Sequence, residues 1–432
     1  MLQTVALRYS GIALQFGILL VLARNLSAED YGRYMLVLSA VLPTYFLLGF
    51  GLSESFVRDA SRLAERRNAD AVKPLAGAVL LVSIGCALGV AIIGSLLYLS
   101  LPLSVPTSTV LAFAVAFFIA NGLMFNSAQL LLGTGSETLG AFFFYPAVNI
   151  SLALSAAPYV LASGEPTLTG VAATTSAAAL IIAIAAVVVA FKRTRPRRPS
   201  RGDINQLART GIRLSLARAL YAAGLWLPIF IAGVLLSPAQ AGYLGTASRL
   251  AVAIGAIMAA VRFAIRPAIA RAFERQDRHA IKLACGKAAT ATLCVSIIAL
   301  AVSIPMGETL ISATFGSTFA PAATLLTILL IAIVIEAAAG PVDEVLKMTG
   351  QERRVVSIFF IAVPLATAAL IVAAHQGVTA MAWVQVGYTF VVFAAMVVLV
   401  RRHSGIWVHP VLPTSLIRRN RSRQVSRIGG DG

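Results

Sequence analysis

Apolar residues run along this chain in blocks of about twenty, separated by short polar or turn-forming segments. A helix needs ~20 apolar residues to cross the hydrocarbon core of a bilayer. Twelve blocks of that size occur, near 4–23, 34–56, 75–98, 109–132, 139–162, 168–191, 213–235, 242–265, 283–305, 318–340, 355–374 and 378–400. The pattern predicts an all-α integral membrane protein with twelve transmembrane helices. The connections are rich in Gly, Pro and Ser, as in Leu101 to Pro106, and none is long enough for a separate soluble domain. The first block, with Arg8 followed by an apolar stretch to Ala23, has the outline of a signal peptide. Eleven further blocks, and a partner for it in mid-chain, make it a retained helix.

Composition agrees and adds a question of charge. The 432 residues are 59% hydrophobic and only 12% charged, against about 25% charged in a soluble domain. A soluble globule, a disordered chain and a nucleic-acid-binding domain are therefore poor fits. Yet 35 Lys and Arg face 17 Asp and Glu, a net charge of +18. With the N-terminus placed inside, 28 of the basic residues fall in alternate loops and the tail, and only Arg24 and Arg33 fall on the other side. Such a bias marks the cytoplasmic face, so the expected topology is multi-pass with both termini cytoplasmic. The basic runs abut spans; they are read as topology determinants attracted to anionic membrane lipids, with no nucleic acid as partner. Cys86, Cys285 and Cys294 lie in spans, and the last two fall on opposite helix faces. No metal-ligand spacing and no catalytic set appears, so the chain is read as no enzyme, with no metal site.

The chain also resembles itself. Leu26-Ser27-Ala28-Glu29-Asp30-Tyr31-Gly32 and Leu236-Ser237-Pro238-Ala239-Gln240-Ala241-Gly242 share Leu, Ser and Gly at an offset of 210, at which Arg8 also matches Arg218. Thr134-Gly135-Ser136-Glu137 matches Thr349-Gly350-Gln351-Glu352 at an offset of 215. Six blocks separate the copies, which predicts a parallel repeat about an axis along the membrane normal. The expected organisation is an N-terminal six-helix bundle at 1–191, a basic cytoplasmic linker at 192–212, a C-terminal six-helix bundle at 213–400 and a basic cytoplasmic tail at 401–432. Two such bundles around a shared cavity suit a transporter that works by alternating access. Pro43, Pro146, Pro228 and Pro364 inside the blocks suit bent helices.

Ionisable groups inside a bilayer cost ~2.5–3.5 kcal/mol on insertion scales and usually face protein or a wet cavity. Arg8, Arg218 and Arg249 are the candidate cavity cations; Arg8 and Arg218 also lie near enough to the interface to snorkel. Arg262, near an inner end, reads as an anchor. Guanidinium groups suit phosphate because their planar fork makes paired charge-assisted hydrogen bonds, so an anionic substrate such as a lipid-linked diphosphate fits. Glu54 stands four residues before Arg58, a favourable helix pair. Glu54 and Glu336 are the candidates for ion coupling; either carries a coupling proton or pairs with an arginine. Asn126 and Gln129 share a face of the fourth block, and Asn149 lies in the fifth. These amides suit either glycan contacts or interhelical hydrogen bonds.

The segment from Leu26 to Tyr34, followed by an apolar helix and Gly49-Phe50-Gly51-Leu52-Ser53-Glu54-Ser55-Phe56-Val57-Arg58, resembles the opening of bacterial polysaccharide flippases. Ala241-Gly242-Tyr243-Leu244-Gly245-Thr246-Ala247-Ser248-Arg249-Leu250 is similar to that family's Gly-x-Tyr-x-x-Ala-x-Arg-Leu stretch, shifted by one residue. These are the O-antigen and exopolysaccharide exporters of the multidrug/oligosaccharidyl-lipid/polysaccharide (MOP) superfamily, with a MATE-like fold. The resemblance implies transfer of an undecaprenyl-diphosphate-linked oligosaccharide to the outer leaflet of the bacterial inner membrane. It implies a cavity lined by basic residues, here Arg8, Arg218 and Arg249, and drive by an H+ or Na+ gradient with no cofactor. It also implies polysaccharide polymerase and export machinery as partners. Twelve spans, where lipid II flippases usually have fourteen, set that subgroup aside. A multidrug/cation antiporter of the same superfamily is the alternative within transport, and would favour deep acidic residues. A membrane-embedded polymerase or ligase is the alternative from another class, and would favour a large outer loop.

Overall fold

The computed structural model describes residues 2–65, 69–102, 104–405, 407 and 410; the side chain of Arg8 lies outside that description. Regular structure among the described residues is helical throughout. The helices are α1 (Leu2–Asn25), α2 (Ala28–Val41), α3 (Leu52–Glu65), α4 (Val72–Ser100), α5 (Val105–Gly133), α6 (Glu137–Phe144), α7 (Ala147–Ala162), α8 (Leu168–Thr194), α9 (Arg201–Leu235), α10 (Pro238–Glu274), α11 (Arg278–Phe315), α12 (Ala322–Ala339), α13 (Val342–Met348), α14 (Glu352–Ala374) and α15 (Val378–Ser404). Nine helices among the described residues are long and apolar enough to cross a membrane, and two bent pairs bring the number to eleven. α1 adds a further apolar segment among the described residues, Tyr9–Asn25.

The bent pairs fall on the second and fifth apolar blocks. The first joins α2, with a short 3₁₀ turn at Tyr45–Leu47, to α3 at 42°; the second joins α6 to α7 at 44°. Pro43 and Pro146 lie at these breaks, whereas Pro228 and Pro364 sit inside unbroken helices. The first break carries three successive left-handed residues, Gly49, Phe50 and Gly51, with φ of 79°, 53° and 70°. Backbone that leaves the helix at membrane depth must have its polar groups satisfied by protein. Asn126 of α5 does this: its Nδ2 donates to the Leu48 carbonyl at 2.8 Å and to Ser83 Oγ at 2.9 Å, while its Oδ1 accepts from Ser53 Oγ at 2.5 Å. At the second break Asn149 Nδ2 donates to the Gly11 carbonyl of α1 at 3.0 Å and to the Tyr145 carbonyl at 3.4 Å.

By backbone proximity the chain forms two compact units, 1–245 with 314–318 and 246–313 with 319–432. In the first, Tyr31, Tyr34, Phe56, Phe113 and Phe117 are fully buried, and Tyr34 stacks on Phe113 at 5.4 Å. α9, which the sequence assigns to the second bundle, packs in this unit on α2, α3 and α4. The hydrophilic centre is helical except at 195–200: α8 runs to Thr194, and a Ser200–Asp203 capping box starts α9. The second unit is organised around Ile269, Ile281, Cys285, Val345, Leu346 and Met396.

The repeated sequence segments take matching shapes. Gly135 and Gly350 have φ of 81° and 75°. Ser136 N–H donates to the Leu131 carbonyl and Gln351 N–H to the Leu346 carbonyl, both at 2.8 Å. Both turns are therefore the same left-handed helix ending. Within the first unit the two earlier copies meet reciprocally. A Cβ at Gly32 would overlap the Pro238 carbonyl, and one at Gly242 would lie 3.1 Å from the Ala28 carbonyl. Pro238 and Ala28 are themselves 210 apart, as are the two glycines.

Candidate functional site

The site in the first unit begins with small residues. Gly51 and Ser55 on α3 face Gly211 and Ser215 on α9, so the backbones approach closely. A Cβ on either glycine would strike the other's carbonyl, and Ser55 Oγ donates to the Leu207 carbonyl at 2.7 Å. This approach sets Glu54 of α3 against Arg218 of α9, Oε1 to Nε at 2.6 Å. The expected helix pair of Glu54 with Arg58 does not form. Arg58 turns instead to Asp59 at 2.8 Å, because Arg58 is exposed while Glu54 points into the α3–α9 contact. The Glu54 side chain is 7% exposed and that of Arg218 is 40% exposed.

Aromatic rings complete the surroundings. The Arg218 guanidinium lies 5.4 Å from the Phe46 ring centre and 5.5 Å from that of Phe125, within cation–π range. Tyr45 packs on Phe46 at 4.1 Å, Phe46 on Phe125 at 5.1 Å, Phe125 on Phe144 at 5.7 Å and Phe144 on Tyr145 at 4.5 Å. Tyr45 and Phe46 precede the first break, and Phe144 and Tyr145 form the second. The first broken span thus delivers Phe46 to Arg218 and α5 delivers Phe125, while the rings of the second break pack behind Phe125. Sequence reasoning did not select these rings. The visible signal was aromatic pairs beside in-span prolines, Tyr45-Phe46 after Pro43 and Phe144-Tyr145 before Pro146. Among the described residues the two terminal nitrogens of Arg218 have no hydrogen-bond partner. They are the part of a guanidinium that grips an oxyanion with two parallel bonds.

The other expected site residues are placed as follows. Asn126 and Asn149 have their amides committed to the two breaks. Gln129 is buried on α5, and Arg249 is buried on α10 in the second unit. Glu336 of α12 accepts from Arg262 of α10 at 2.6 Å, and Arg262 also stands 3.8 Å from Asp343 of α13. Arg262 is therefore an ion-paired residue within its unit, and α10 runs on past it to Glu274 instead of ending there. One turn on, Arg266 grips Glu344 with two bonds, of 2.7 and 2.6 Å. Lys347 reaches Asp343 at 2.9 Å and Glu344 at 3.6 Å. This cluster of three cations and three carboxylates spans the turn at Gly340, where φ is 73°. Among the described residues no group of three or more His, Cys, Asp or Glu is arranged to hold a metal ion.

The fold is shared with solved transporters. The chain is similar to a multidrug resistance MATE family transporter of the MOP superfamily in its inward-facing conformation, at TM-score 0.72 and 12% identity over 92% of this chain and 94% of that one. It is similar to the lipid II flippase MurJ in an inward closed conformation, at TM-score 0.67 and 11% identity over 93% of this chain and 88% of that one. A MOP superfamily transporter from Pyrococcus furiosus aligns at TM-score 0.60 and 12% identity over 94% of this chain and 95% of that one. No curated protein matches the sequence. The all-α membrane fold is that of the MOP superfamily. Residues 4–273 match the polysaccharide biosynthesis protein family, and the chain belongs to that family.

Proposed function

We propose that this protein is a flippase that carries an undecaprenyl-diphosphate-linked oligosaccharide from the inner to the outer leaflet for cell-surface polysaccharide assembly. The observation that carries this reading is Arg218: a membrane-depth guanidinium in a polysaccharide biosynthesis protein, half-exposed, with its oxyanion-binding edge open. Arg8, at the matching repeat position, and Arg249 are the further cations proposed to contact the diphosphate. The matching turns at Gly135 and Gly350, and the reciprocal approach of Gly32 and Gly242, support a twofold repeat of two halves, 1–191 and 213–400, that exchange access by rocking. The charge bias of the loops supports cytoplasmic termini in the inner membrane. Polysaccharide polymerase and export machinery are the proposed partners downstream.

The antiporter alternative calls for membrane-depth carboxylates open to a cationic solute. Glu54 and Glu336 are each paired with an arginine, which favours the anionic substrate. The test is a gene deletion complemented in turn by wild type, Arg218→Ala and Arg249→Ala. The deletion should accumulate lipid-linked saccharide on the inner leaflet. Wild type should clear it, and each variant, present in the membrane at the same level, should leave it in place. Export unchanged in both variants would refute the cavity role of these arginines.

A further inference from the structure

We propose that Glu54 is the resident counter-anion of Arg218 and sets how tightly that arginine holds a phosphate-bearing solute. The inference rests on the reading of Arg218 as a substrate contact and adds a second residue with a different task. A guanidinium has two ring-like faces and two edges that donate hydrogen bonds. Here Phe46 and Phe125, whose ring centres are 5.1 Å apart, both stand on one side of the guanidinium, and the Glu54 carboxylate lies 2.6 Å from Nε. The terminal edge remains, and its two nitrogens can take two oxygens of one phosphate. The surroundings therefore give Arg218 a direction of approach.

The same arrangement limits the strength of the grip. Glu54 is almost fully buried, held where α3 and α9 touch through Gly51 and Gly211. A buried carboxylate does not readily leave its partner, since an unpaired charge there is heavily penalised. A phosphate on the terminal edge must share one positive charge with Glu54, and the two anions repel. A lone arginine among aromatic rings would hold phosphate more tightly and release it more slowly. A carrier has to release its solute on the far side, so partial neutralisation serves turnover. Glu54 in this account is a positioning and affinity-setting residue, not a proton carrier.

The experiment uses the full chain in lipid nanodiscs, with inorganic pyrophosphate as the probe and equilibrium dialysis as the readout. Glu54→Gln keeps the size of the side chain and an oxygen for Nε, and removes only the charge. It should bind pyrophosphate at least tenfold more tightly than wild type. Arg218→Gln should lose binding, and the double variant should match Arg218→Gln alone. Glu54→Asp keeps the charge but draws it back by one methylene, and should fall between wild type and Glu54→Gln. It reports on the idea even where Glu54→Gln does not fold. Equal or weaker binding by Glu54→Gln, a gain that survives in the Arg218→Gln background, or no binding by any variant would overturn the assignment. Saccharide accumulation in Arg218→Ala cells tests the flippase reading separately. Failure of one is therefore distinguishable from failure of the other.

Discussion

Two regions of this molecule pair arginine with carboxylates on long apolar helices, and they treat it differently. In the first unit Arg218 has one carboxylate, two ring faces and an open edge. In the second unit Arg262 and Arg266 are interlocked with Glu336, Asp343, Glu344 and Lys347. Three positive and three negative charges there close on themselves across the turn at Gly340. The network sets each charge against an opposite one across a backbone break, whereas the Glu54–Arg218 pair leaves its arginine 40% exposed to a solute. The presence of an arginine in a span therefore says little until its partners are known. This also distributes the effects expected of mutation. Changes to the network should appear as stability, and changes to the pair as binding.

The largest stability effect is expected from Arg266→Met. It strands Glu344, which is 5% exposed, and removal of one partner of a buried pair costs about 3–5 kcal/mol. Lys347 remains 3.6 Å from Glu344, so the expected loss is about 2–3 kcal/mol. A thermal unfolding series in detergent measures it. The same variant should bind pyrophosphate as wild type does, and a parallel loss of binding would erase the distinction between the two regions.

Next in size is Asn126→Ala. It removes one side chain and leaves the Leu48 carbonyl, Ser53 Oγ and Ser83 Oγ without their partner. Unsatisfied buried groups cost about 1–3 kcal/mol, and a loss of about 2 kcal/mol is expected in the same unfolding assay. The break between α2 and α3 carries Phe46 on one side and Glu54 on the other, so this variant should also weaken pyrophosphate binding. A stability loss with unchanged binding would separate the break from the site.

These expectations also mark how far the sequence could be read. Runs of about twenty apolar residues located the spans, because burial in lipid acts on composition alone. Pro43, Pro146, Pro228 and Pro364 all suit bent helices in the sequence, because proline acts on its own backbone. The two bent pairs carry Pro43 and Pro146, whereas Pro228 and Pro364 sit in unbroken helices, and sequence reasoning did not select Gly49 and Gly51. Partners were not legible. Glu54 and Arg218 are 164 positions apart in the sequence, and what joins them is the packing of Gly51 on Gly211. Local spacing pointed to Arg58 instead. The amides of Asn126 and Asn149 were recognisable as polar groups in spans, but polarity does not say whether a group faces a solute or a broken backbone. The aromatic cluster was hidden for a related reason: a phenylalanine in an apolar run carries no signal of its own.

The smallest expected effect tests the idea of a closed network most directly. Glu336→Gln removes a carboxylate that touches Arg262 at 2.6 Å. If Arg262 depended on that contact alone, the loss would resemble that of Arg266→Met. Asp343, however, already stands 3.8 Å from the same nitrogen, and glutamine retains an oxygen that accepts a hydrogen bond. The expected loss is therefore about 1 kcal/mol. Asp343→Asn alone should behave similarly, since Lys347 then keeps Glu344 as a partner. The double variant removes both acids that stand within 4 Å of the Arg262 guanidinium, and its loss should exceed the sum of the singles by at least about 0.5 kcal/mol. Simple additivity would mean that the two acids act independently. The second unit would then hold separate ion pairs, each open in the same sense as Glu54 and Arg218.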